Sequence, residues 1–327
     1  MEGIPMSGDV SQREWQRPEA KVRKERIYEY VLLGCATLTV AITIGIIFTL
    51  FSDAVYFFQE YAGLLEGSTA DAVREFVAGK EWVPTIEPYS YGLLPLLSGT
   101  IVITVAAAAV ALPCGLGAAI YLSEYARPTT RAYLKPALEV LAGVPTIVYG
   151  YFALAYVTPF LDRFLDLSTF NALSASIMMG IMIIPMVSSI SEDAMSAVPD
   201  SLRAAGYGLG ATKFDVSTRV VVPAAFSGIV SSFILAFSRA IGETMIVTVA
   251  AGQNPKMLIL DPTRLDENLY DSVQTITSAM VQAAGSDTAG GTPVFWSMFA
   301  LGLALFVVTF VMNVIADVIQ RRYREAY

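Results

Sequence analysis

The sequence predicts an all-α integral membrane protein with six transmembrane helices. Three observations lead there. Of its 327 residues, 55% are hydrophobic and only 15% charged, with a mean hydropathy of +0.57; soluble domains carry about 25% charged residues. Six stretches are long enough to cross a bilayer, which takes roughly 20 apolar residues in a helix. Those stretches are continuous and not alternating, so helices are expected and a barrel is not.

In chain order, a polar tail comes first, at residues 1–27. The first span, 28–51, is longer than a secretory apolar core of roughly 7–15 residues, so it is expected to stay as a membrane helix. Further spans are placed near 93–122, 137–161, 173–191, 224–252 and 293–319, making 28–319 one transmembrane domain, with a short tail at 320–327. Starting the alternation with the N-terminal tail in the cytoplasm puts fifteen basic residues inside. Among them are Lys21, Arg23, Arg131, Lys135, Arg203, Lys213 and Arg322. Five fall outside: Arg74, Lys80, Arg163, Lys256 and Arg264. Basic residues favour the cytoplasmic side, so both termini are expected inside a plasma (inner) membrane.

Two long loops then face outward. Loop 52–91 contains SDAVYFFQEYAGLLEG. Its Tyr56, Phe57, Phe58 and Tyr61 suit either a helix in the membrane interface or a folded solvent-facing loop. Loop 253–292, with SVQTITSAMVQAAG, either dips into the membrane, lies along it, or folds in solvent.

Loop 192–223 faces the cytoplasm and carries the most local order. Pro199 is expected to end the helix leaving the membrane, and Asp200 to cap a short helix, SLRAAGYG. Gly210 supplies a left-handed residue to close it. Thr212 with Asp215 three residues on makes a capping box for a second helix, and Pro223 starts the next span. A compact, capped helical pair at the membrane face suits either a docking knob or an ordinary re-folded loop. DNA reading is not expected, because Glu192, Asp193, Asp200 and Asp215 outnumber the three basic residues.

The chain has no histidine. That removes Ser-His-Asp and Cys-His catalysis and most zinc sites. It has no G-x-x-x-x-G-K-[ST] loop, so any ATP that drives it binds another chain. Cys35 and Cys114 lie in apolar runs and are expected to be packing residues, not a disulfide.

The stretch FSRAIGETM, 237–245, places Arg239 and Glu243 inside an otherwise uncharged span. An arginine near mid-depth costs about 2.5–3.5 kcal/mol even on the lenient insertion scale, and such a residue faces a partner or a wet cavity. On a continuous helix Arg239 and Glu243 share one face, together with Ser232, Gly228 and Ala225 and the apolar Leu235 and Ile246. This stripe is open to two readings, a pathway lining or a helix-packing face. The charges are open to two as well, a buried ion pair locking the helix or a substrate contact. The arginine precedes the glutamate, the less favourable order for such a pair, and buried pairs stabilise weakly.

Loop 192–223 resembles the coupling motif of ABC importer permeases. Ala204-Ala205-Gly206 fills its triplet, Gly210 its glycine, and Val220-Val221-Val222-Pro223 its ending. The triplet begins with Ala204 where the family has glutamate. LAGVPTIVYGYFAL, IMIIPMVSSISEDAMSAVP and SRAIGETMIVTVAAG narrow the resemblance to phosphate-specific permeases, and GETM with WVPTIEPYSYGLLPLLSGT is similar to their C-type subunit. The likeness runs from about Tyr28 to the C-terminus; Ser238 departs from the glycine common before the arginine.

The resemblance implies a type I importer fold and a heterodimer with an A-type permease. It implies two ATPase subunits that hold ATP and magnesium, and an extracytoplasmic phosphate-binding protein. It makes Ala204, Ala205, Gly206, Gly210, Ala211, Thr212 and Pro223 the coupling residues, and Arg239, Glu243, Ser232 and Thr244 the substrate pathway. A guanidinium fork suits phosphate. Glu243 would hold Arg239 between substrates, or accept a hydrogen bond from protonated phosphate. Thr244 would add a hydroxyl, although it lies off the stripe. The competing readings are a sulfate or molybdate permease, a stand-alone secondary transporter, and an intramembrane enzyme.

Overall fold

The computed structural model describes residues 19–261, 264–285 and 291–322. The expected tails lie outside the described residues as far as Pro18 and from Tyr323 onward. The chain divides into two units, Met1–Ser52 and Asp53–Tyr327.

The first unit is the N-terminal part of α1 (Glu19–Leu64). Its polar hydroxyls are satisfied within the helix: Thr37, Thr39 and Thr43 each donate to the carbonyl four residues back. A lipid-facing helix needs this, because no water is present to take those groups.

In the second unit α1 runs on to Leu64, past the expected end of the first span at 51. The aromatic run is therefore no separate interface helix. It forms the base of a folded cap with α2 (Thr69–Ala78) and a short hairpin, β1 (Trp82–Val83) and β2 (Ser90–Tyr91), in which Trp82 pairs with Tyr91. Phe57 and Tyr61 are fully buried, their rings 5.2 and 5.0 Å from that of Tyr91. Ser68 and Asp71 cap α2 reciprocally. The Ser68 hydroxyl and amide hold the Asp71 carboxyl below its usual range.

The core is the pair α3 (Leu94–Ile120), continued by a π turn over Tyr121–Tyr125, and α7 (Ala172–Ser196). They meet through small residues. A Cβ on Gly180 would stand 2.9 Å from the Ala107 carbonyl, and one on Gly115 2.7 Å from Val187. Close backbone approach of this kind lets membrane helices gain dispersion energy where no hydrophobic drive exists between them.

Two of the expected spans are broken. In place of a span at 137–161 there is α4 (Pro128–Ala142), then α5 (Thr146–Phe152), a π turn and α6 (Thr158–Leu161), bent by 86°. Pro145 lacks an N–H and Gly143 frays the end of α4; the Tyr149 hydroxyl donates to the Leu141 carbonyl at 2.7 Å and pins the bend. The apolar run that looked like one span is the end of α4 joined to α5 and α6.

Loop 192–223 holds α8 (Asp200–Gly208) and α9 (Lys213–Val216), then a π turn and α10 (Val222–Ala224). Pro199, not Asp200, is the N-cap of α8, and Asp200 is its first helical residue. Pro223 does not open the next span. It sits in α10, and Ala225 follows as a 71° bend before α11 (Phe226–Ile241). Proline gives no N–H to the preceding turn, which matches the π turn Ser217–Val221 beside it.

The run 224–252 breaks again at Gly242–Thr244, before α12 (Met245–Ala250). Then come α13 (Glu267–Tyr270), α14 (Ile276–Gly285) and α15 (Pro293–Arg322). The segment before α14 lies hard against α3: a Cβ on Gly99 would be 2.2 Å from the Gln274 carbonyl. Thr100 accepts from the Ile276 amide. Among the described residues, four helices are long and apolar enough to cross a membrane, or up to six when each bent pair counts as one. Cys35 and Cys114 are free and exposed, so they do not serve as the buried packing residues expected of them.

Candidate functional site

Two sites follow from the chain's own geometry, one in the broken span and one at the end of the core pair.

Arg239 stands in the last turn of α11. The residue is exposed, and among the described residues its one hydrogen-bond partner is the thioether of Met182 on α7, 3.7 Å away. The carbonyls at the end of α11 are a favourable neighbourhood for a cation. Glu243 is not its partner. The shared face assumed a continuous helix, and the break at Gly242 removes it. The Glu243 carboxylate, only 8% exposed, turns to the backbone and accepts from the amides of Met245 and Ile246 at 3.1 and 3.4 Å. Two otherwise orphaned donors of α12 are met in this way. The Glu243 carbonyl accepts from the Thr277 hydroxyl at 2.7 Å, so the first turn of α14 holds the break in place. Thr244 lies in the break, its hydroxyl donating to the Gly242 carbonyl at 3.3 Å. The buried ion-pair lock therefore fails, and Arg239 is left with donors free for an anion.

The stripe below it resolves into packing. Ser232 is buried and shares a 2.8 Å hydrogen bond with Ser191 of α7. A Cβ on Gly228 would stand 2.4 Å from that of Ala194, and Ala225 is buried. Ser232 thus belongs to the seam between α7 and α11 and is not brought together with Arg239. Ser238 bonds across to Asn313 of α15 at 3.0 Å.

In the second site, α8 and α9 fold back on each other. Gly206 is required there, because a Cβ would meet Val216 at 2.9 Å. Gly210 has φ +81°, and the amides of Gly210 and Ala211 close the turn onto the carbonyls of Tyr207 and Gly206. Thr212 caps α9 by accepting from the Asp215 amide and gives its own hydroxyl to that carboxylate at 2.6 Å. Ala204, Ala205 and Pro223 are exposed, and Ala211 packs on the core beneath. Tyr207, Leu209 and Phe214 are exposed as well, Leu209 at 90%. This apolar outer face is a docking surface in form.

Sequence reasoning also missed the charges behind that face. Glu192 is wholly buried and is held by Arg131 and by Lys135, the latter at 2.7 Å. Arg203 reaches Glu124 at 3.0 Å. All three pairs join residues more than fifty positions apart, and no local spacing announces them.

The sequence profile of the family described as binding-protein-dependent transport system inner membrane component matches residues 111–325. The chain belongs to that family. It is 35% identical over 239 residues to the probable ABC transporter permease protein YqgH of Bacillus subtilis, covering 72% of this chain and 74% of that one. It is 33% identical over 261 residues to the phosphate transport system permease protein PstC of Mesorhizobium japonicum, covering 74% and 76%. The fold matches a solved bacterial ABC transporter involved in the import of the acidic polysaccharide alginate. The TM-score is 0.63 at 12% identity, over 93% of this chain and all of that one. The chain is thus a multi-pass inner-membrane permease component, not itself an enzyme, and its family works with an ATPase and a substrate-binding protein. The stand-alone transporter and intramembrane enzyme readings fall away.

Proposed function

We propose that this chain is the C-type permease of an ATP-driven importer of inorganic phosphate. It pairs with an A-type permease to enclose the path. Two ATPase subunits, holding ATP and magnesium, dock on the coupling loop at Ala204, Ala205, Gly206, Gly210, Ala211, Thr212 and Pro223. An extracytoplasmic phosphate-binding protein delivers the substrate. Both termini are cytoplasmic, as the basic-residue asymmetry favours.

One observation carries the substrate reading: Arg239 is a membrane guanidinium with no carboxylate partner among the described residues. A buried or intramembrane cation needs a counter-charge, and a passing oxyanion supplies one. Phosphate is favoured over sulfate or molybdate by the relatives named for phosphate transport. A planar fork binds two phosphate oxygens at once, which an ammonium does not. Glu243 and Thr244 shape the break that presents Arg239, and transport needs weak binding so that the ion leaves.

The test is phosphate uptake by cells lacking their own importer, with assembled complex measured for each variant. Arg239→Lys keeps the charge and loses the fork, so uptake should fall by roughly tenfold or more, the scale of one charged hydrogen-bond pair. Near-normal uptake by assembled Arg239→Lys and by Arg239→Gln with Glu243→Gln would end the case for Arg239 as a phosphate ligand.

A further inference from the structure

The Arg203 guanidinium does more than pair with one carboxylate. Its Nη2 donates to Glu124 at 3.0 Å and to the Met195 carbonyl at 2.8 Å. Its Nη1 donates to the Val198 carbonyl at 2.6 Å and to Asp200 at 3.3 Å. Arg203 lies on α8, Met195 in the last turn of α7, and Glu124 in the π turn that ends α3. The Glu124 side chain is 5% exposed and that of Arg203 17%. One planar group thus ties together the Met195 carbonyl in the last turn of α7, the Val198 carbonyl just beyond it and the buried carboxylate at the end of α3. A second tie lies beside it: the Lys213 ammonium of α9 sits 5.1 Å over the Tyr125 ring.

We infer that Arg203 and Glu124 form a rigid joint that makes the docking pair α8–α9 move as one body with the ends of α3 and α7. Arg203 is a positioning residue for transport. The inference rests on the reading of this loop as the ATPase dock. The motion has a route onward. On α7, Ser191 bonds Ser232 of α11, and Met182 touches Arg239. A push on α8 reaches the Arg239 neighbourhood through α7 only if α8 cannot slide on it. Asp200 is fully exposed and Glu124 buried, so the holding power lies in the carbonyls and Glu124.

The experiment uses the whole transporter in proteoliposomes. Tyr121 and Tyr207 are both exposed, one on the π turn and one on α8. Spin labels are placed at Tyr121→Cys and Tyr207→Cys, with Cys35→Ser and Cys114→Ser. With Arg203 present, the distance between labels should be the same with and without ATP. In Arg203→Gln it should broaden or shift with nucleotide. Phosphate moved per ATP hydrolysed should drop roughly fivefold or more, the low end of ordinary coupling energies. Glu124→Gln should do the same, and the double variant no worse, because one joint breaks once. Arg203→Lys reaches fewer acceptors and should fall between.

A nucleotide-dependent distance in the unaltered joint would overturn the inference. So would an unchanged ratio in Arg203→Gln and Glu124→Gln. Failure of all four variants to assemble would reduce the joint to a folding element and overturn it too. A native complex that hydrolyses ATP yet carries no phosphate would instead refute the substrate reading. The label distance alone would then judge the joint.

Discussion

Replacing Gly210 separates backbone strain from contact at the coupling turn. Its φ is +81°, and nothing lies within 4 Å of the place where a Cβ would stand. A new side chain therefore meets open space within this chain, and the cost is conformational. An L-residue in that region costs about 1–2 kcal/mol, a β-branched one most and asparagine least. Gly210→Asn should stay close to native, Gly210→Ala should lose about 1 kcal/mol, and Gly210→Val about 2 kcal/mol or more. A loss of about 2 kcal/mol shifts the ratio of formed to open turn roughly thirtyfold. At the strained residue that turn is closed by the amide bonds from Gly210 to Tyr207 and from Ala211 to Gly206, which follow those of Leu209 to Ala205 and Gly206. The assay is phosphate carried per ATP hydrolysed by the assembled complex in proteoliposomes. The expected order is Gly, Asn, Ala, Val, with Val uncoupled. If Asn proves as poor as Val, the ATPase needs the bare surface of glycine and the strain argument is wrong. Normal coupling in Val would remove Gly210 from the docking machinery.

For topology, Thr85→Cys in the outer cap should react with a membrane-impermeant thiol reagent added outside intact cells. Leu209→Cys, 90% exposed on the coupling loop, should react only after the cells are opened; the reverse pattern would invert the orientation. Gly99→Ala should lower the melting temperature of the purified complex. Its methyl group would fall 2.2 Å from the Gln274 carbonyl, and overpacking of this kind costs about 1–3 kcal/mol. An unchanged melt would mean that the segment before α14 is free to move off α3.

Much of this protein was legible from its residues one after another. Long apolar runs mark membrane helices because the bilayer demands internal backbone bonding over a fixed thickness. The left-handed turn at Gly210 and the cap at Thr212 were legible for the same local reason: glycine alone adopts that φ freely, and a hydroxyl meets an amide three residues on. What residue order could not show was where a run bends. The breaks at Gly143–Pro145 and Gly242–Thr244 lie inside unbroken apolar stretches. A single glycine costs a helix only about 1 kcal/mol, so it permits a break without demanding one. Contacts from distant chain decide. Thr277 holds the Glu243 carbonyl from 34 residues away, and that break separates Glu243 from Arg239. The pair that one continuous helix would have made became a capping carboxylate and a free guanidinium. The ties of Arg203 to Glu124 and of Glu192 to Arg131 and Lys135 likewise exist only where α3, α4, α7 and α8 converge. A buried charge takes whichever opposite charge the fold brings within reach, and sequence spacing does not encode that distance.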